Sequence, residues 1–285
     1  MTFQNVIRIV RTSGIVRRAF LHQLFIVARK VNFLPTKLIL GAPLIAQFTK
    51  LDPLPPSDVT KAMLAEADAL FEQGKYLNLY EKFKNYKDGS SAEMLWRLSR
   101  ALYHMSKSAN PDEAKAMIYE AYDLVSKALS LEDDISQVHK WYTVLLDSKS
   151  EYEGKKARIQ QLQTVKNHML RALELNPKDA TILYMLGNWC YCVADLAWYQ
   201  RKIAAVIFAA PPTSSFQEAL EFLLKAEEID PNFYSQNLLL LGKTYLKLNN
   251  KEEGVKYLKM ASEYPARNND DQDAKQEATK LLSGL

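Results

Sequence analysis

Leu238-x-x-Leu241-Gly242-x-x-Tyr245, followed by Gly254, Leu258, Ala261 and Pro265, constrains this chain more than any other stretch. Small residues at these intervals let two antiparallel helices touch. The large apolar ones fill the gap to a neighbouring pair, and the proline stops the second helix. Such a hairpin cannot bury its apolar face alone, so it must stack on others like it.

Related signatures lie upstream. Ala219, Leu223, Ala226 and Pro231 repeat the second-helix pattern, with Leu183, Leu186 and Gly187 as its first helix and about 20 extra residues between the halves. Trp141 and Val144 pair with Val165, Met169, Ala172 and Pro177, with about 8 extra, and Leu95 and Leu98 pair with Ala121, Val125 and Ala128, with about 10 extra. The units end at Asp133, Pro177, Pro231 and Pro265, spaced by 44, 54 and 34 residues. A strict solenoid keeps a constant period. The insertions must therefore lengthen helices or add loops. Glycine (9) and proline (11) are scarce, and no alternating β-branched run bounded by turn residues appears in the repeat region. The expected fold is all-α: a tetratricopeptide-like helical-repeat array, an α-solenoid with irregular insertions.

The 285 residues divide by charge. Residues 1–50 hold Arg8, Arg11, Arg17, Arg18, Arg29, Lys30, Lys37 and Lys50 and no acid, whereas the remainder has a net charge of −4. On a helical wheel Arg8, Arg11, Arg18 and Arg29 gather within about a quadrant, with apolar residues largely opposite and Arg17 spoiling that side. Such an arm fits a mitochondrial transit peptide, a helix lying on an anionic membrane, a grip on acidic protein surfaces, or a plain basic tail. It does not read as a membrane span: the uncharged run Leu38 to Thr49 has twelve residues with Gly41 and Pro43 inside it, well short of the roughly twenty a crossing needs. Nor does it read as a secretory signal, because His22 and Gln23 interrupt the apolar stretch. Pro53, Pro55 and Pro56 then break any helix. The expected organisation is a basic arm for targeting or surface binding over 1–50, a Pro-rich hinge over 51–57, and a helical domain over 58–285. Its first pair is broken at Gly74 and caps the array over 58–88.

His139-Lys140-Trp141-Tyr142, Glu174 to Thr181 (ELNPKDAT), Trp198 to Lys202 (WYQRK), and Asp230 to Leu248 stand in order along the chain. In these blocks the sequence resembles the regulator of microtubule dynamics proteins, over roughly residues 58–282. The resemblance implies a non-catalytic repeat protein associated with microtubules and with the mitotic spindle and its poles. Some members of that family carry a membrane anchor and a lipid-binding helical domain at organelle contacts. This chain resembles the unanchored branch, for which mitochondrial association is the alternative location. The resemblance supplies no residue-level tubulin site.

Repeat geometry supplies candidates instead. Counted from Gly187 and Gly242, the groove positions of the first helices hold Tyr184, Asn188, Tyr191, Lys243 and Lys247. Lys243 and Lys247, four apart, project from one helical face. With a nearby amide and phenols they offer a cradle for an acidic, disordered tubulin tail, set against a plain solvated lysine face. The insertion Leu196 to Ser215 combines Arg201 and Lys202 with the apolar run Ile203 to Phe208. It suits a lipid pocket, a membrane surface or ordinary packing. Trp96 and Trp141 are expected in the core.

Catalysis finds little support. His22, His104, His139 and His168 lack metal-pair spacing, and no glycine-rich phosphate loop or G-x-S-x-G turn is present. Cys190 and Cys192 point to different helical faces and are expected as buried reduced thiols, suiting a reducing compartment. The reading is a cytoplasmic, cytoskeletal scaffold at the spindle. It has no cofactor, metal or enzyme activity and no nucleic-acid partner. Tubulin is its main partner, and an anionic lipid surface is the alternative.

Overall fold

The structure, a computed structural model, describes residues 59–208 and 212–285, residue 197 excepted. The arm with Arg8, Arg11, Arg17, Arg18 and Arg29 and the hinge over 51–57 lie outside the described residues. The described residues fall within one compact unit.

Among the described residues every regular element is helical. The twelve α-helices are α1 (Lys61–Glu72), α2 (Tyr76–Phe83), α3 (Ala92–Ser106), α4 (Pro111–Leu131), α5 (Ser136–Glu153) and α6 (Lys155–Leu175). After these come α7 (Ala180–Ala194), α8 (Trp198–Ile207), α9 (Phe216–Ile229), α10 (Ser235–Lys247), α11 (Lys251–Glu263) and α12 (Asn269–Leu282). Most begin where the sequence supplies a side-chain acceptor for an orphan N–H. Ser91 caps α3, Asn110 caps α4 ahead of Pro111, Asp179 caps α7, Ser215 caps α9 and Asn250 caps α11.

Pairing follows the repeat. α3 packs on α4, α5 on α6, α7 on α9 and α10 on α11, while the first helices lean on one another in α1–α3, α3–α5, α7–α10 and α10–α12 contacts. The irregular periods resolve physically. In the α3–α4 and α5–α6 pairs the extra residues extend helices, so that α4 and α6 each reach 21 residues. In the α7–α9 pair they form α8, which leans on α6 and leaves the register of its parent pair intact. The first pair breaks at Gly74, as expected, but α2 ends at Phe83 and a 3-10 turn carries the chain to Tyr86.

Register is held by close backbone approach. A Cβ on Gly187 would stand 2.6 Å from Leu223 Cγ, and one on Gly242 would stand 2.7 Å from Leu258 Cγ. Both pairs thus make the same contact, although α8 intervenes in one and not in the other. Trp96 and Trp141 are buried as expected. Cys190 is buried and Cys192 half-buried, both free thiols.

Candidate functional site

The first helices lean on one another in the α1–α3, α3–α5, α7–α10 and α10–α12 contacts, and the groove read from the sequence is the trough these helices would line. On α7 and α10 the glycine sets the frame. On α3 the same place is held by Ser99, fully buried and donating from Oγ to the Leu95 carbonyl. One position past the small residue come Arg100, Asn188 and Lys243, and four past it come Tyr103 and Tyr191. The equivalence follows from the spacing of Leu95 and Leu98, although serine does not announce a contact position as glycine does.

At the α3 end, Arg97 holds Asp68 through two bonds of 3.0 and 2.7 Å, and Arg100 Nη2 donates to the same carboxylate at 2.8 Å. The Arg100 guanidinium lies 3.6 Å from the Phe71 ring centroid and 4.8 Å from that of Trp96. This arrangement leaves Arg100 Nε buried with no hydrogen-bond partner. One turn on, Lys107 Nζ stands 4.2 Å from the Tyr103 ring centroid. His104 sits among Phe71, Tyr76, Tyr103 and Trp141. Burial, helped by the charges of Lys107 and Arg100, lowers its pKa to about 4.

In the middle, Tyr184 meets Tyr234 edge to face at 5.0 Å. Burial raises the Tyr234 phenol far above its ordinary value, with Tyr184, Asp270 and Tyr103 adding to the rise. Tyr103 on α3 and Tyr234 at the start of α10 therefore share one electrostatic neighbourhood, although they belong to units far apart in the chain. Gln236 Nε2 donates to the Asp270 carbonyl at 2.7 Å, which fixes the amide orientation and leaves Gln236 Oε1 buried without a partner.

The five groove residues read from the sequence are gathered here, but not as an open cradle. Tyr184, Asn188 and Tyr191 are buried, at 3–4% exposure. Lys243 Nζ pairs with Glu277 at 2.7 Å and Lys247 Nζ with Asp195 at 2.6 Å. Each lysine of the expected cradle thus faces a carboxylate, one from α12 and one just past the end of α7. The lysines also flank an aromatic corner, with Lys243 5.8 Å from the Tyr191 ring and Lys247 5.5 Å from that of Phe216. Arg100, Tyr103, Tyr234 and Gln236 were not singled out in the sequence. Counting six back from Gly242 would have found Gln236, whereas the others needed the fold.

Away from the trough, His139 Nδ1 and His168 Nδ1 lie 2.8 Å apart, and His139 Nε2 lies 2.8 Å from the Asp133 carbonyl. A carbonyl only accepts, so His139 Nε2 carries hydrogen and its Nδ1 accepts from His168. Burial, with His139 adding to it, lowers the His168 pKa. Among the described residues no group of three or more His, Cys, Asp or Glu converges as a metal site. No described helix is long and apolar enough to cross a membrane.

The comparisons with known proteins agree with this architecture. A family model described as regulator of microtubule dynamics protein 1-3 matches residues 63–285. Regulator of microtubule dynamics protein 1 of Mus musculus is 47% identical over 226 residues, covering 78% of this chain and 74% of that protein. The Bos taurus protein of the same name is 45% identical over 225 residues, covering 78% and 71%. A solved thermophilic tetratricopeptide-repeat protein of Thermus thermophilus aligns over 77% of this chain and 98% of its own, with TM-score 0.51 and 15% identity. That last likeness bears on the fold alone.

Proposed function

We propose a function from one premise: this chain belongs to the regulator of microtubule dynamics protein family. It is a non-catalytic scaffold that associates with microtubules, supports spindle organisation and chromosome segregation, and engages its partners through the trough of its first helices. The observation that carries this reading is the meeting of first-helix side chains from different units: Tyr184 of α7 stands edge to face with Tyr234 at the start of α10, and Gln236 of α10 holds the Asp270 carbonyl. The two thiols of α7 are poor nucleophiles, because burial raises them, to about 11 for Cys190 and about 12 for Cys192.

Bulk attraction does not explain binding to an acidic polymer, since the chain beyond residue 50 is net negative. The basic arm adds long-range steering, and the trough adds register. Co-sedimentation of the full chain with polymerised tubulin across a salt series tests the proposal. Pelleting that persists near physiological salt supports it. Failure to pellet even at low salt defeats it.

A second reading, contact with an organelle membrane at a mitochondrial or other surface, draws on α8. Val206 there is 89% exposed, and Arg201 and Lys202 are exposed on the same helix. Flotation with anionic vesicles, in place of pelleting with tubulin, would favour it.

A further inference from the structure

Two imidazoles meet head on between α5 and α6. His139 Nδ1 and His168 Nδ1 lie 2.8 Å apart, with the ring centroids 5.1 Å apart. The centroid distance is what two ring radii add to the nitrogen gap, so both nitrogens lie on the line joining the rings and the rings are not stacked. A ring nitrogen carries its lone pair radially, in the ring plane. His139 is 5% exposed and anchored from behind: Nε2 donates to the Asp133 carbonyl at 2.8 Å, which leaves the lone pair on Nδ1. Metal-bound histidines are oriented in this way, the second nitrogen giving its hydrogen to a carbonyl. His168 is half-buried, and the Tyr142 ring braces it at 4.5 Å between centroids. In the protein alone a single hydrogen, on His168 Nδ1, sits between the two nitrogens.

Although the spacing of the histidines along the chain predicts no metal pair, we propose that one Cu(I) ion takes the place of that hydrogen, bound by both Nδ1 atoms in linear two-fold coordination. Imidazole suits copper and zinc alike, so geometry decides between them. Zinc takes a tetrahedron of donors whose lone pairs meet at an angle. Here the two donors face each other along one line, and among the described residues no third His, Cys, Asp or Glu joins them. Cu(I), with a filled d shell, accepts two donors on opposite sides. Bonds from imidazole to a transition ion are about 2 Å long, so seating it widens the nitrogen gap to about 4 Å. His168, the partner open to solvent, is the ring that yields. Its hydrogen moves from Nδ1 to Nε2 on the far side of the ring, so no net proton is released and copper does not change its charge. Both cysteines are free thiols, which suits a reducing compartment, where copper is held as Cu(I). The site stands apart from the trough and does not depend on the microtubule reading.

The test supplies Cu(I) anaerobically to the full chain in competition with the coloured chelator ferrozine. The chain should withdraw one equivalent, and X-ray absorption of the loaded protein should show two nitrogen neighbours and no sulfur. His139→Gln and His168→Gln should each weaken uptake by at least about tenfold, the least that even an outer-shell change costs a metal site. His22→Gln, in the arm, should leave uptake unchanged. His168 is half-buried, so His168→Gln decides the matter if His139→Gln fails to fold. Cu(I) should also raise the unfolding midpoint of the unmutated chain and leave that of His168→Gln where it was. Zn²⁺ at the same concentration should not raise it. Failure to withdraw copper from ferrozine would leave the pair a plain hydrogen bond and overturn the proposal. Undiminished uptake by His168→Gln, or sulfur neighbours in the absorption spectrum, would place the ion elsewhere and overturn it too. Zinc binding as tight as that of Cu(I) would overturn the linear assignment.

Discussion

Gly187 and Leu223 meet so closely that a single added methyl on the glycine would stand 2.6 Å from Leu223 Cγ, and this contact holds α7 on α9 across the inserted α8. Overpacking of this kind costs about 2 kcal/mol, so Gly187→Ala should lower the urea midpoint accordingly. Leu223→Ala should cost about 3 kcal/mol through the cavity it leaves. The double variant should be less destabilised than the sum, because the new methyl enters the space the leucine vacates. Strict additivity in the cycle would show that the two do not set the register together.

The turn at Gly154 depends on a second pair. Arg158 donates to both oxygens of Asp147 at 2.9 and 2.7 Å, and both side chains are largely buried. Burial outweighs the guanidinium and leaves the Asp147 carboxyl above its ordinary pKa. Arg158→Met should therefore destabilise by about 3 kcal/mol, and Asp147→Leu in that background should restore most of the loss. Denaturant titration of the three variants checks this.

Acid should weaken the fold through its histidines. His104 is lowered to about 4 by burial and by Lys107 and Arg100, so below its unfolded value of about 6.5 the unfolded chain binds a proton that the folded chain refuses. Stability should hold above about pH 6.5 and decline toward pH 4, by on the order of 2 kcal/mol from this residue after allowing for its partial exposure. His168, also lowered, adds in the same direction. His104→Phe should flatten part of the slope in thermal melts taken across pH. An unchanged slope would contradict the assignment.

Because Lys243 and Lys247 already face Glu277 and Asp195, replacing both with methionine should change stability by less than about 1 kcal/mol. Binding of a glutamate-rich peptide should change by less than about threefold. A tenfold loss in fluorescence titration would show that the two lysines carry the peptide contact.

What the sequence made legible was the packing. Gly187, Gly242, Leu223 and Leu258 carry their roles in their spacing, and the prolines at 177, 231 and 265 follow second helices where expected. The trough was harder to read. Its chemistry depends on what faces each side chain from elsewhere, and no local pattern says that Glu277 answers Lys243 or that Asp270 fixes the Gln236 amide. Arg100 and Tyr103 stayed hidden because Ser99 replaces the glycine that marks the frame. His139 and His168 meet through the α5–α6 pairing, which 29 residues of separation do not reveal.

Hydroxyl-radical footprinting of the full chain, free and on polymerised tubulin, reads directly which face meets the polymer. Tyr103 and Tyr234 line the trough and are half-buried, whereas Tyr152 is 43% exposed beside Tyr119 of α4. Loss of labelling at Tyr103 and Tyr234, with Tyr152 labelled as in the free protein, is the expected outcome. Protection of Tyr152 with undiminished labelling of Tyr103 and Tyr234 would place the contact at the far end of α5, away from those two residues, and contradict a trough that binds.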